Sequence, residues 1–231
     1  MMRVLAVTHG PAVQPELFGD VVAEEGHALE TWDMRTQGAP PRSFDAVLVF
    51  GGDQNVGEEL EHPWLHTEYE ALERWVDDGT PLFTVCLGAQ TLARALGANV
   101  RKSPTPLAGF YETTLTDEGA ADPVLGVLPR RFAALNANAY EFGWPARTVP
   151  LAEGPVPQAF RAGERAWAVQ FHPEARHGQV LDWFREDPER PRPLDELAAE
   201  LDEQLPAWQE LGRRLARAFL RTAVAAVDSV P

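Results

Sequence analysis

The stretch PLFTVCLGAQTLARALGA, residues 81–98, decides the fold. PLFTVC has the length and apolar character of a buried strand, and Pro81 opens it just after Gly79 has closed the preceding element. GAQTLARALGA follows with no loop between and reads as a helix, with Leu92 and Leu96 four apart and Gly97 as its stop. A strand that runs directly into a helix is half of a βαβ unit. Upstream, AVLVF at 46–50 is an unbroken apolar run closed by Gly51-Gly52, as a central parallel strand requires. Residues 65–77 carry Leu65, Tyr69, Leu72 and Val76 on one helical face. Val4 to Val7 reads as a first strand, residues 14–25 as a helix with Leu17, Val21 and Val22, and HALETWD as a second strand. Alternating strands and helices predict an α/β domain around a mostly parallel sheet.

Downstream the pattern changes. YETTLT, RFAALNA, PQAFRAG and WAVQF, between about residues 108 and 172, read as strands on short turns that complete a mixed sheet. The domain is expected over 1–185. Residues 186–231 are expected to add a charged, Pro-rich connection and a helical tail packed on that domain. The tail spans 194–226, is interrupted at Pro206, and has Leu211, Leu215, Ala218 and Phe219 on one face.

The chain has 231 residues, 45% of them hydrophobic and 24% charged, which is ordinary for a globular protein able to bury its own core. The net charge is −15, with a single lysine, Lys102. A nucleic-acid binder needs a basic stripe to neutralise phosphates, and none is present. One cysteine excludes an intramolecular disulfide and fits a reducing compartment. The opening MMRVLAVTHG lacks the apolar stretch of a signal peptide, and no apolar run reaches the ~20 residues of a membrane helix. The expected location is the cytoplasm, without membrane or nucleic-acid partners.

Cys86 stands where the strand ends and the helix begins. A lone cysteine is ordinarily a small buried hydrophobe. At a strand–Cys–x–Gly–helix junction that reading reverses, because a sharp elbow lifts the side chain out of the sheet. A helix N-terminus there offers N–H groups and partial positive charge to a thiolate. Gly88 is read as permitting the tight turn. A sulfur nucleophile needs a base, and the base needs an orienting group. WAVQFHPE supplies both: the strand delivers His172, Pro173 stops it, and Glu174 returns toward the imidazole. Gly51-Gly52 allows a backbone N–H to point into a site, where with the N–H of Leu87 it would form an oxyanion hole.

These motifs resemble the class I glutamine amidotransferases, especially the stand-alone group similar to the amidotransferase domain of GMP synthase. Thr84-Val85-Cys86-Leu87-Gly88-Ala89-Gln90 is similar to the family's Gly-x-Cys-x-Gly-His-Gln, and Gln170-Phe171-His172-Pro173-Glu174 to its Gln-x-His-Pro-Glu. The resemblance runs from the first strand to the terminal helix. It implies a flavodoxin-like three-layer domain and a triad of Cys86, His172 and Glu174. Gly52 and Leu87 would hold the oxyanion, and Gly51, Gln90, Asn138, Ala139 and Tyr140 would bind the glutamine moiety. Thr84 and Ala89 replace the family's Gly and His. Ala137-Asn138-Ala139-Tyr140-Glu141-Phe142 stands where related members carry Trp-His-Gly-Asp-x-Phe. The substrate is therefore left open between glutamine and a γ-glutamyl compound.

No cofactor is implied, since phosphate-binding and dinucleotide-binding glycine motifs are absent from the sequence. His62 and His66 stand four apart, but with no third ligand and Pro63 between them they read as a solvated helix start; no metal site is expected. The ammonia released would be hydrolytic waste or would pass to an acceptor on a synthetase subunit. A second class of reading stays open: a binding or regulatory subunit that kept the fold and lost efficient catalysis.

Overall fold

The structure, a computed structural model, describes residues 1–185 and 191–228. A nine-stranded sheet has the order β2-β1-β3-β4-β9-β8-β7-β5-β6. Its parallel core is β2 (Ala28–Asp33), β1 (Arg3–Thr8), β3 (Ala46–Val49), β4 (Leu82–Val85) and β9 (Ala166–Val169). Three adjacent strands of this core, β3, β4 and β9, are buried at every residue, as a strand covered on both faces must be. Beyond β9 the sheet turns antiparallel through β8 (Pro157–Ala162), β7 (Thr148–Glu153), β5 (Val100–Leu115) and β6 (Arg131–Phe142).

Successive residues of the core strands feed opposite faces. Val4, Ala6, Leu48, Phe83, Val85 and Trp167 pack beneath α1 (Glu16–Glu24) and α7 (Leu194–Asp228). Leu5, Val7, Val47, Val49, Leu82 and Ala168 pack beneath α3 (Trp64–Asp77) and α4 (Leu87–Ala95). The result is the expected three-layer α/β domain. A single turn, α2 (Met34–Gln37), and the short α5 (Asp117–Ala121) complete the connections, and α6 (His177–Arg185) follows the segment carrying His172.

Several local expectations are corrected. The buried face of α3 is Leu65, Glu68, Ala71, Leu72 and Trp75, rotated from the stripe that placed Tyr69 and Val76 inward. The strand expected at 111–116 starts at Val100; Pro104 and Pro106 fall where the β5–β6 register breaks between Lys102 and Leu107, so neither has to donate to a regular ladder. β7 and α6 had no expectation. Pro150 interrupts the alternation of β7, and α6 buries only Val180 and Phe184. α7 runs through Pro206 without the expected interruption. Leu201, Leu205 and Trp208 are buried on either side of it while Pro206 is exposed, so packing of the inner face outweighs the one lost N–H. Residues 186–190 of the expected connection lie outside the described residues.

Candidate active site

The parallel strands end on one edge, which brings His9, Gly51, Cys86 and His172 together, the edge at which α/β sheets place ligands. Cys86 is the joint between β4 and α4, with φ 52° and ψ −109°. A non-glycine residue with positive φ is uncommon, and such strain gathers where function needs it. The strained joint is pinned from both sides: Cys86 N–H donates to the Val169 carbonyl at 2.9 Å, and its own carbonyl accepts from Gln90 N–H at 2.9 Å. Gly88 serves differently from the turn read for it. Its backbone is ordinary helix, but a Cβ there would lie 2.6 Å from the Val49 carbonyl oxygen, so its missing side chain lets α4 close on β3. Thr84 fits the strand, donating its hydroxyl to the Trp167 carbonyl at 3.2 Å.

His172 is fixed through its backbone and through its ring. Its N–H donates to the Leu135 carbonyl at 2.8 Å, and its carbonyl accepts from the Trp208 indole at 2.8 Å. Nδ1 lies 2.7 Å from Oε1 of the fully buried Glu174, and the ring packs on Trp183 at 4.6 Å. Burial works against a charge on this imidazole, but the Glu174 carboxylate and then the Cys86 sulfur outweigh it and raise its pKa to about 10. Gly51 lies between nucleophile and base: a Cβ on it would be 3.2 Å from His172 Cε1 and 3.4 Å from Cys86 Cβ.

Cys86 and His172 open into a cleft of about 1260 Å³, with Gly52, Ala137, Asn138 and Ala139 among its walls. Gln170 Nε2 lies 3.6 Å from the sulfur, and Gln170 Oε1 accepts from Gln90 Nε2 at 3.2 Å. Gln90 and Asn138 both donate to the Tyr140 carbonyl, each at 3.0 Å. The Gln90 amide is therefore spent inside the protein, whereas Asn138 Oδ1 is buried without a partner. Tyr140 contributes its carbonyl to this cluster and its ring stays out of the cleft walls. Glu141 is tied to Arg101 at 2.8 Å and to the Ser103 hydroxyl at 3.0 Å, away from the sulfur. Leu87, the first residue of α4, has an N–H with no partner one turn back in its own helix. Among the described residues no group of three or more His, Cys, Asp or Glu side chains is placed to share a metal ion.

Sequence reading missed His9 and Glu68. His9 Nε2 lies 2.5 Å from Glu68 Oε2, and its Nδ1 lies 3.1 Å from the Gly51 carbonyl. Burial again opposes the charge on His9, and the neighbouring Glu68 carboxylate outweighs it to hold the pKa above its usual value. The signals were present: His9 ends a strand on the ligand-binding edge, and Glu68 stands between Leu65 and Leu72 on an otherwise apolar stripe.

Fold and site define the class, an α/β domain whose cysteine elbow opens into one cleft with a His–Glu pair. The family follows from the sequence: residues 20–183 match glutamine amidotransferase class-I, and the chain belongs to that family. It is 29% identical over 180 residues to the glutamine-hydrolysing GMP synthases of Aliivibrio fischeri and Vibrio cholerae, matching 76% of this chain and 33% of each relative. The chain thus spans about a third of the length of the curated relatives it matches. Among solved structures, a glutamine amidotransferase from Thermotoga maritima superposes with a TM-score of 0.82 at 22% identity, covering 94% of this chain and 97% of that one. A glutamine amidotransferase from Methylobacillus flagellatus gives 0.84 at 20%, covering 95% and 94%. No helix among the described residues is long and apolar enough to cross a membrane.

Proposed function

We propose that the chain hydrolyses the side-chain amide of glutamine, or of a γ-glutamyl compound, through a thioester on Cys86. The observation that carries this reading is the strained Cys86 elbow in one cleft with a His172 already paired to buried Glu174. The sulfur attacks the amide carbonyl, and the N–H groups of Gly52 and Leu87 hold the developing oxyanion. His172, charged at neutral pH, gives its proton to the departing ammonia as the C–N bond breaks. The imidazole, now neutral, takes a proton from water attacking the thioester carbonyl; the C–S bond then breaks, the acid leaves, and Cys86 and protonated His172 are restored. Glu174 on Nδ1 directs Nε2 to this work.

We assign Gly51 and the Asn138-Ala139-Tyr140 segment to the glutamine moiety; Asn138 and Ala139 line the cleft beside Cys86. Gln90 acts on substrate through that segment, by bracing the Tyr140 carbonyl. The relatives are glutamine-hydrolysing synthases, so a synthetase subunit with its own acceptor site is the partner we assign to the ammonia; release to solvent is the other fate. The cytoplasm is the location we assign, because a nucleophilic thiol has to stay reduced.

The test is intact mass after incubation with 6-diazo-5-oxo-norleucine, with Cys86→Ala beside it. A single adduct, absent from the variant and prevented by excess glutamine, is expected. A wild-type protein that takes up no label while a small alkylating reagent still reaches Cys86 would mean that the pocket is not for glutamine.

A further inference from the structure

We propose that Glu68 and His9 are positioning residues that aim both halves of the oxyanion hole, an inference that rests on Gly52 and Leu87 being its donors. Glu68 is wholly buried between α3 and the sheet, where an aliphatic residue would be cheaper. Its two oxygens go to different elements. Oε2 meets His9 Nε2 at 2.5 Å, and Oε1 accepts from the Thr91 hydroxyl at 2.6 Å. Thr91 lies one turn along α4, the helix that begins with Leu87. His9 Nδ1 meets the Gly51 carbonyl at 3.1 Å. One carboxylate therefore ties the helix bearing one donor to the turn bearing the other.

The peptide geometry gives this tie a consequence. The chain has no cis peptide bonds among its described residues, so the N–H of Gly52 points opposite to the Gly51 carbonyl. With that carbonyl on His9, the N–H is turned away from His9, and Gly52 borders the cleft. Two consecutive glycines leave this peptide little steric preference of its own. Turned over, it would present an oxygen to the oxyanion in place of a donor. The anchor is protected against such a flip. Because a carbonyl can only accept, His9 must carry hydrogen on Nδ1, whether the shared proton of the His9–Glu68 pair sits on Nε2 or on the carboxyl. Trp64 stacks on the imidazole at 5.1 Å and both ring nitrogens have partners, so a turn of the ring would break both bonds at once.

Two substitutions separate the nitrogens. His9→Asn keeps a donor near the Nδ1 position, and His9→Gln keeps one near the Nε2 position. For glutamine hydrolysis, His9→Gln is expected to lower kcat about tenfold or more with KM changed by less than about threefold, as for a mis-aimed oxyanion donor. His9→Asn should recover most of that loss, and iodoacetamide should alkylate Cys86 at the same rate in both. The isosteric Thr91→Val should lower kcat about threefold at constant KM by loosening α4. Carbon-13 labelling of the Gly51 carbonyl gives a readout without turnover: its resonance should move in His9→Gln and hold in His9→Asn. Equal kcat in the two His9 variants, or an unmoved Gly51 resonance in His9→Gln, would overturn the proposal. If His9→Gln does not fold, an unchanged kcat in Thr91→Val overturns the link to α4. A wild-type protein without glutaminase activity would defeat the functional reading, and the Gly51 resonance would still decide the anchor.

Discussion

The indole of Trp208 in α7 donates to the backbone carbonyl of His172 at 2.8 Å, so the terminal helix holds the residue assigned as acid and base. The grip extends along the loop. Gln209 donates to the Ala175 carbonyl at 3.1 Å, and Trp208 stacks on Phe132 at 6.0 Å. Gly212 lies so close that a Cβ on it would be 2.1 Å from the Pro173 carbonyl oxygen.

Gly212→Ala should therefore displace either α7 or the His172–Glu174 loop, because the obstructing atom is backbone. The expected cost is about 2–3 kcal/mol in urea unfolding, with a fall in kcat for glutamine hydrolysis. Trp208→Phe keeps an aromatic ring but removes the N–H and part of the buried indole, and should cost about 2–3 kcal/mol. A Gly212→Ala protein of unchanged stability would show that the helix is not pressed on the loop.

The charge on His172 sets a pH window. Its folded pKa, about 10, lies above the ordinary value of about 6.5. Its stabilising contribution is then complete below about pH 6.5 and is lost as pH rises through about 10. The Tm advantage of the wild type over His172→Asn should shrink across that interval. Glu174→Gln removes the strongest influence that raises the pKa, so the alkaline limb of its kcat/KM profile should move to lower pH. A limb that stays in place would remove Glu174 from this role.

Gly88→Ala should push α4 from β3, since the new Cβ meets the Val49 carbonyl oxygen at 2.6 Å. A loss of about 1–3 kcal/mol is expected, together with slower labelling of Cys86 by the glutamine mimic. Gly178→Ala in α6 is the control, with nothing within 4 Å of the added Cβ; denaturant midpoints should show it neutral or stabilised by up to about 1 kcal/mol.

Gln90→Leu tests the brace. It takes one of two donors from the Tyr140 carbonyl and the partner from Gln170 Oε1. Stability should fall by about 1–3 kcal/mol, and KM for glutamine should rise more than kcat falls, because the substrate segment is loosened while Cys86 and His172 stay in place. Normal KM and stability would return Gln90 to the list of residues without an assigned role.

The parallel half of the sheet was legible at β3 and β4, which are fully buried and almost wholly apolar, whereas β9, read only as a strand of the mixed half, pairs parallel with β4. The antiparallel half was legible only in part. β5 carries prolines and charges through its first half, and β7 carries Pro150, so neither shows an unbroken strand pattern. In α3, aromatic and aliphatic residues pointed to Tyr69 and Val76, and the buried Glu68 shifted the true face by one position. Polar burial is invisible to hydrophobic periodicity, since a carboxylate counts as solvent-facing until its partners are known.

The sequence by itself determined the elbow at Cys86 and the strand end at His172-Pro173-Glu174, because each is a local event: a change of period, a proline stop, a carboxylate two residues from an imidazole. Only the tertiary structure decided what holds those residues in place. Trp208 meets His172 across 36 positions, and His9 meets Glu68 across 59. Gly88 owes its lack of a side chain to a carbonyl on β3, and Gly212 to one on the loop after β9. Such partners are chosen by which faces of the layers meet, and no local spacing encodes that choice.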